Sequence, residues 1–216
     1  MSDPVLYGLS RSVYTRIARL ALEEKGVRYT LEEVEIFDSA GAPAEHRARQ
    51  PFGRIPAFEH DGFMLYETDA ITRYVDEAFT GTHLQPQAPQ ARARMNQVIG
   101  IVDSYAYRPM VWGVFAARIV APRAGTAVNE TIVAEAMAKS RTCCLALEAI
   151  LGGNRYFTGT ELTLADLHAL PILLYFSLTP EGAAVFATHP RLRAWLDNVA
   201  ARPSVQRTKG KFELAQ

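Results

Sequence analysis

The sequence predicts a chain of the α/β plus all-α class, with a small mixed domain first and a larger helical domain after it. Three observations predict this. Strand and helix patterns interleave over the first eighty residues. The stretch GTHLQPQAPQA (81–91) then has the Gly/Pro/Gln composition of a linker. Everything beyond it carries helical apolar spacing. The expected division is therefore a mixed domain over 1–80, a linker over 81–91 and an all-helical domain over 92–216.

In chain order, VLYGL (5–9) is a short apolar run suited to a buried strand. Ile17, Leu20 and Ala21 then mark a helix that Gly26 stops. RYTLEEVEI (28–36) alternates as a strand does, and Gly41, Ala42 and Pro43 open an irregular or short helical segment. IPAFEHDGFMLYE (55–67) reads as a hairpin turning at Asp61-Gly62, and TDAITRYVDEAF (68–79) as a helix. In the second half, helical patterns run over about 89–121, 127–151, 163–178 and 190–201, the first of them expected to kink at Pro109. Thr163 and Asp166 form an S/T-x-x-D capping box flanked by Leu162 and Leu167, a folding device rather than a catalytic one.

Composition removes several classes of function. The formal net charge is zero and no Lys/Arg block occurs, which argues against nucleic acid or an anionic membrane as the main partner. The opening MSDPVLYG lacks the basic and apolar segments of a signal peptide, and no apolar run approaches the roughly 20 residues of a bilayer span. A cytoplasmic protein is expected. Cys143 and Cys144 are neighbours in a helix and point to different faces, so a disulfide between them would be strained. No Cys/His cluster has zinc spacing, and no metal is predicted.

Three segments carry chemistry. In GLSRSVYTRIARLALEEKG (8–26), Ser10 and Ser12 precede a helix start, where a serine can cap the helix or present its hydroxyl to a ligand. In QPFGRIPAFEHDG (50–62), Pro56 at a strand start can hold a cis bond and leave the Ile55 N–H and C=O outside the sheet, free to pair an extended peptide-like ligand. In YETDAITRYV (66–75), Thr68 opens a helix whose first N–H groups suit a carboxylate, and Glu67 beside it suits an ammonium group. An acid next to a helix N-terminus matches both charges of an amino-acid head group.

Together these segments resemble the thioredoxin-like glutathione transferases, serine-type phi and theta-like members above all. QPFGRIPAFEHDGFMLYETDAITRYV (50–75) follows their pattern closely, and YFTGTELTLADLHALP (156–171) and HPRLRAWLDNVAARPSV (189–205) continue it. The resemblance covers nearly the whole chain. It implies a βαβ-α-ββα domain followed by helices, glutathione as cosubstrate, a hydrophobic electrophile and a homodimer. A free thiol with a pKa of about 8.5 is mostly protonated at neutral pH, so the site must favour the thiolate.

The resemblance puts the activating hydroxyl on Ser12, with Ser10 and Tyr7 as the other candidates. It assigns glutathione to Arg54, the Ile55 backbone, Pro56, Glu67 and Thr68, and the electrophile to Tyr107, Met110, Trp112, Phe115 and Tyr175. Phe52 lies near an aromatic key of some family dimers. Two departures stand out: Gly41 and Ala42 replace a basic pair, and Asp69 replaces an arginine. Both remove positive charge near an anionic ligand, and Arg47 is the residue that could replace it. A glutathione-dependent isomerase or dehalogenase, and a non-catalytic glutathione transferase-like binding or stress-response protein with a degraded ligand site, are the alternatives on the same fold.

Overall fold

The computed structural model describes residues 2–214. Elements run β1 (Val5–Gly8), α1 (Val13–Glu24), β2 (Thr30–Glu33), α2 (Ala44–Arg49), β3 (Ala57–His60), β4 (Phe63–Tyr66) and α3 (Thr68–Ala78). Helices α4 (Pro89–Ile101), α5 (Ala121–Arg123), α6 (Glu130–Leu151), α7 (Leu164–Ser177), α8 (Pro180–Ala187), α9 (Pro190–Ala200), α10 (Pro203–Arg207) and α11 (Lys211–Leu214) complete it. The chain divides into two compact units. One holds the residues before Pro86 together with the stretch from Pro203 onward; the other holds 86–202.

The first unit is built on a four-stranded sheet in the order β2-β1-β3-β4. β1 runs parallel to β2 and antiparallel to β3, and β3–β4 is the hairpin expected from Asp61-Gly62. Asp61 (φ 48°) and Gly62 (φ 80°) both adopt positive φ, as the tight turn matching strand twist requires. Side chains alternate across the strands. Leu6 and Phe58, paired across β1 and β3, are fully buried with Ile17, Leu20, Ile71 and Val75 of α1 and α3. The other face carries Tyr7 and Glu59, with the Arg49 guanidinium of α2 lying 4.3 Å from the Tyr7 ring centroid. Gly8 ends β1 where α1 passes closest: a Cβ there would lie 2.4 Å from Thr15 Oγ1.

The C-terminal stretch returns to α1. Arg16, fully buried, pairs both guanidinium nitrogens with the Glu213 carboxylate and also reaches the Val205 carbonyl. Ser204 hydrogen-bonds Glu24, and Arg207 pairs with Glu23. A separate buried pair, Lys25–Asp76 at 3.2 Å, joins the end of α1 to α3; Asp76 also accepts the Leu84 N–H.

The second unit packs around α7, buried along nearly its whole length. Its capping box forms as the sequence implies: Asp166 accepts from the Thr163 N–H and hydroxyl, and further from the Phe157 N–H and Trp195 Nε1. Arg118 joins Glu130 of α6 to Glu181 of α8. The long pattern over 89–121 is not a helix with one sharp kink. After α4 it widens into π-helix over Val102–Ala106 and Arg108–Val120. The Tyr107 N–H reaches back to the Val102 carbonyl and the Ala121 N–H to Ala116, five residues each. Pro109 supplies no donor, so the ladder is interrupted there anyway, and the wider winding takes up the mismatch.

Candidate functional site

Strand register gathers the predicted residues of the first unit. Glu32, Tyr7, Ala57 and Tyr66 form one row across the four strands. The turn after β1, the segment before β3 and the segment after β4 all leave from just beyond that row. Ser10, Ser12, Ile55, Glu67 and Thr68 therefore stand at one end of the sheet.

Ser12 is the N-cap of α1, with extended backbone (φ −74°, ψ 133°). Its hydroxyl oxygen accepts the Thr15 N–H at 3.4 Å, a long bond. The hydroxyl proton is not used by that bond. Ser10 lies in the preceding turn, and its N–H donates to both oxygens of Glu33 at 3.2 Å. The Tyr7 phenol donates to Glu59 Oε2 at 2.9 Å, so its proton is already committed on the α2 face of the sheet. Burial, then the adjoining Glu59 carboxylate, push this phenol above its ordinary range, the direction opposite to what an anion-stabilising donor needs.

The Ile55-Pro56 peptide bond is cis, as the Pro56 position suggested. Ile55 is buried, and β3 begins only at Ala57. Among the described residues the Ile55 N–H and C=O enter no backbone hydrogen bond outside the regular elements. Arg54 is exposed; its N–H donates to Gln50 and its carbonyl bonds the buried His46 ring at 2.7 Å. Glu67, not Thr68, is the N-cap of α3, because its backbone turns out of the helix at φ 70° and ψ 116°. A non-glycine residue at such a φ is strained, and strain of this kind clusters at ligand sites. Among the described residues no side chain caps α3, which leaves its first N–H groups open beside the exposed Glu67 carboxylate.

The two charge-removing departures are partly offset locally. Asp69 pairs with Arg73 one turn along α3 at 3.0 Å. Arg47 Nε donates to the Ala42 carbonyl, and its Nη2 lies 3.4 Å from where a Gly41 Cβ would stand. A guanidinium thus occupies the surroundings of the missing basic pair.

Arg11, Glu33 and Glu35 were not singled out from the sequence. Arg11 pairs with Glu35 at 2.5 Å, and Glu35 accepts the Ile36 and Phe37 N–H groups. Burial works against the Glu35 charge, but the Phe37 N–H and Arg11 outweigh it and hold the carboxyl low. The only signal available was the acidic alternation in TLEEVEI, which also reads as an ordinary solvated strand edge.

The aromatic set of the second unit separates by burial. Met110, Phe115 and Tyr175 are buried, Phe115 stacking on Tyr175 at 4.6 Å. Trp112 is 51% exposed and donates through Nε1 to the Tyr107 hydroxyl at 2.9 Å. These two stand five residues apart, and π-helical winding brings such a pair onto one face. Cys143 and Cys144 are buried, and burial pushes the Cys144 thiol up to about 12. Among the described residues no group of three or more His, Cys, Asp or Glu could hold a metal ion. No single described helix is long and apolar enough to cross a membrane.

Residues 6–83 match the family model of the glutathione S-transferase N-terminal domain, and 69–203 that of its C-terminal domain. The chain is 30% identical to glutathione S-transferase F6 of Arabidopsis thaliana, over 96% of this chain and 99% of that protein. It is 32% identical to glutathione S-transferase 1 of Triticum aestivum, over 96% and 93%. Among solved structures, glutathione transferase F7 from Populus trichocarpa superposes with a TM-score of 0.83 at 31% identity, covering 95% of this chain and 97% of that one. Glutathione S-transferase I from maize, in complex with an atrazine glutathione conjugate, superposes at 0.83 with 27% identity over 96% of each chain.

Proposed function

The chain belongs to the glutathione S-transferase family, and from that premise we propose that it adds the glutathione thiolate to apolar electrophiles, with Ser12 donating its hydroxyl proton to the sulfur. The observation that carries this reading is the meeting of three unfilled groups at one sheet end. These are the Ser12 hydroxyl at the start of α1, the Ile55 backbone outside the ladder and the uncapped start of α3 beside Glu67.

Each group answers one part of a γ-glutamyl-cysteinyl-glycine chain. The α3 start takes the γ-glutamyl carboxylate and Glu67 its ammonium. The Ile55 N–H and C=O pair with the cysteinyl unit as a short added strand, with Pro56 setting the backbone course behind it. That brings the sulfur toward α1, where the Ser12 hydroxyl and the positive end of the helix both favour the anion. Each pH unit of thiol acidification requires about 1.4 kcal/mol, which a charge-assisted hydrogen bond and a helix terminus can supply together.

Arg47, beside Gly41 and Ala42, serves the glycyl carboxylate, and Arg54 the peptide backbone. On the second unit, Tyr107 and Trp112 are the electrophile contacts; Met110, Phe115 and Tyr175 support them from the core. The protein works as a cytoplasmic homodimer, and Phe52, 70% exposed and edge-on to Tyr66, is the interface aromatic.

Titration calorimetry with glutathione, paired with turnover of a chlorodinitrobenzene-type electrophile, tests the reading. Saturable binding and glutathione-dependent product are expected from the wild type, with weaker binding by Arg47→Ala. A wild type that neither binds nor conjugates refutes the function. An Arg47→Ala titration that overlays the wild type removes Arg47 from the site.

A further inference from the structure

The turn in front of α1 is held from the end of β2 by two carboxylates. Glu33 takes the Ser10 N–H, and Glu35 takes the Arg11 guanidinium at 2.5 Å. The other Glu35 oxygen accepts the Ile36 and Phe37 N–H groups at 3.0 and 2.8 Å, so this carboxylate cannot swing away without opening its own loop. Arg11 also lies 5.7 Å from the Phe37 ring centroid. Arg11 and Glu35 are 32% and 33% exposed, so water only partly screens their charges. Arg11 is adjacent to Ser12 in the chain, which puts their Cα atoms about 3.8 Å apart.

Glu33 comes from β2, and Arg16, further along α1, is neutralised by Glu213. Glu32, Glu59 and Arg49 surround Tyr7, and Glu67 stands at the start of α3.

We propose that Arg11 and Glu35 are opposed positioning residues that set the charge at the Ser12 helix start, Arg11 favouring an anion bound there and Glu35 orienting and tempering it. The inference rests on the reading of Ser12 as the thiol-binding hydroxyl. Its content is a sign. Without Arg11, the Glu35 charge loses its guanidinium partner and a bound thiol holds its proton to higher pH. Without the Glu35 charge, one negative charge is gone from beside the helix start and the thiol ionises at lower pH. A purely structural tie makes no such distinction, since losing either partner frees the same loop.

The test is titration of the bound glutathione thiol, by its ultraviolet thiolate absorbance and by the pH profile of kcat/KM. The variants are Arg11→Ala, Arg11→Lys and Glu35→Gln; glutamine keeps an acceptor for the Ile36 and Phe37 N–H groups. The expected shifts are roughly half a pH unit or more upward for Arg11→Ala and a similar amount downward for Glu35→Gln. Arg11→Lys should stay near wild type. Shifts of the same sign, or none, in variants that bind glutathione as wild type does overturn this inference alone. A wild type without glutathione binding overturns the parent reading and this one with it.

Discussion

Replacing Ser12 by alanine separates its observed capping role from its proposed role as thiolate donor, both of which use the same oxygen. As N-cap, Ser12 accepts one backbone N–H at 3.4 Å. A bond that long belongs at the weak end of capping, so its loss should cost about 0.5–1 kcal/mol of stability. In the proposed role as donor to a bound thiolate, the same hydroxyl would make a charge-assisted bond, and removing one such donor typically costs about 10²-fold in rate, or about 2.7 kcal/mol. At about 1.4 kcal/mol per pH unit, the bound thiol should then titrate about two units higher. Denaturant unfolding reads the first quantity; kcat/KM against pH and thiolate absorbance read the second. The expected pattern is a small stability loss beside a large loss of thiolate at neutral pH. Ser10→Ala, whose backbone N–H still reaches Glu33, should change turnover by less than about twofold. Ser12→Ala with the predicted stability loss, turnover within twofold of wild type and an unmoved thiol pKa would refute the catalytic assignment and leave Ser12 a cap.

Two further outcomes follow from groups outside the thiol chemistry. Asp166→Ala leaves the Thr163 N–H, Phe157 N–H and Trp195 Nε1 without their buried acceptor, which should cost about 3–5 kcal/mol in denaturant unfolding; a loss under about 1 kcal/mol would show those donors find other partners. For Tyr7, the folded-state phenol titrates above its unfolded value of about 10, so its contribution to stability is complete below that pH and is lost as the pH rises through the higher value. Tyr7→Phe should therefore flatten the alkaline loss of stability and leave the bound-thiol pKa unchanged; an upward move of that pKa would return Tyr7 to the mechanism.

What the sequence disclosed tracks how local each cause is. The Asp61-Gly62 turn, the Thr163–Asp166 box and the Ile55-Pro56 bond each rest on neighbours a few residues apart, and each can be read from a short window. The place of Ser12 at the start of α1 was legible for the same reason. Burial of Met110, Phe115 and Tyr175 was not, because apolar spacing identifies a helix face without saying whether water or a neighbouring helix meets it. The π-helical winding was also hidden: Pro109 announces a missing donor, yet a kink and a widened turn satisfy that loss equally well on paper. Tyr7 and Arg11 depended on strand pairing, since Glu59 reaches Tyr7 through the register of β3 and the parallel pairing of β1 with β2 brings together the segments that carry Arg11 and Glu35. Glu59 and Glu35 therefore looked like routine solvated charges.

The buried pairing of Arg16 with Glu213 sets an order on biosynthesis. Translation proceeds from the N-terminus and domains generally fold as they emerge. Arg16 is made early, and its carboxylate partner follows 197 residues later. Until then the helix that begins at Ser12 carries a guanidinium whose buried position has no counter-charge. The unit encoded first is thus finished last, after 86–202 has already been delivered. A gene fragment cut at the linker would encode the sheet and its three helices but not the residue that neutralises the core of the first one.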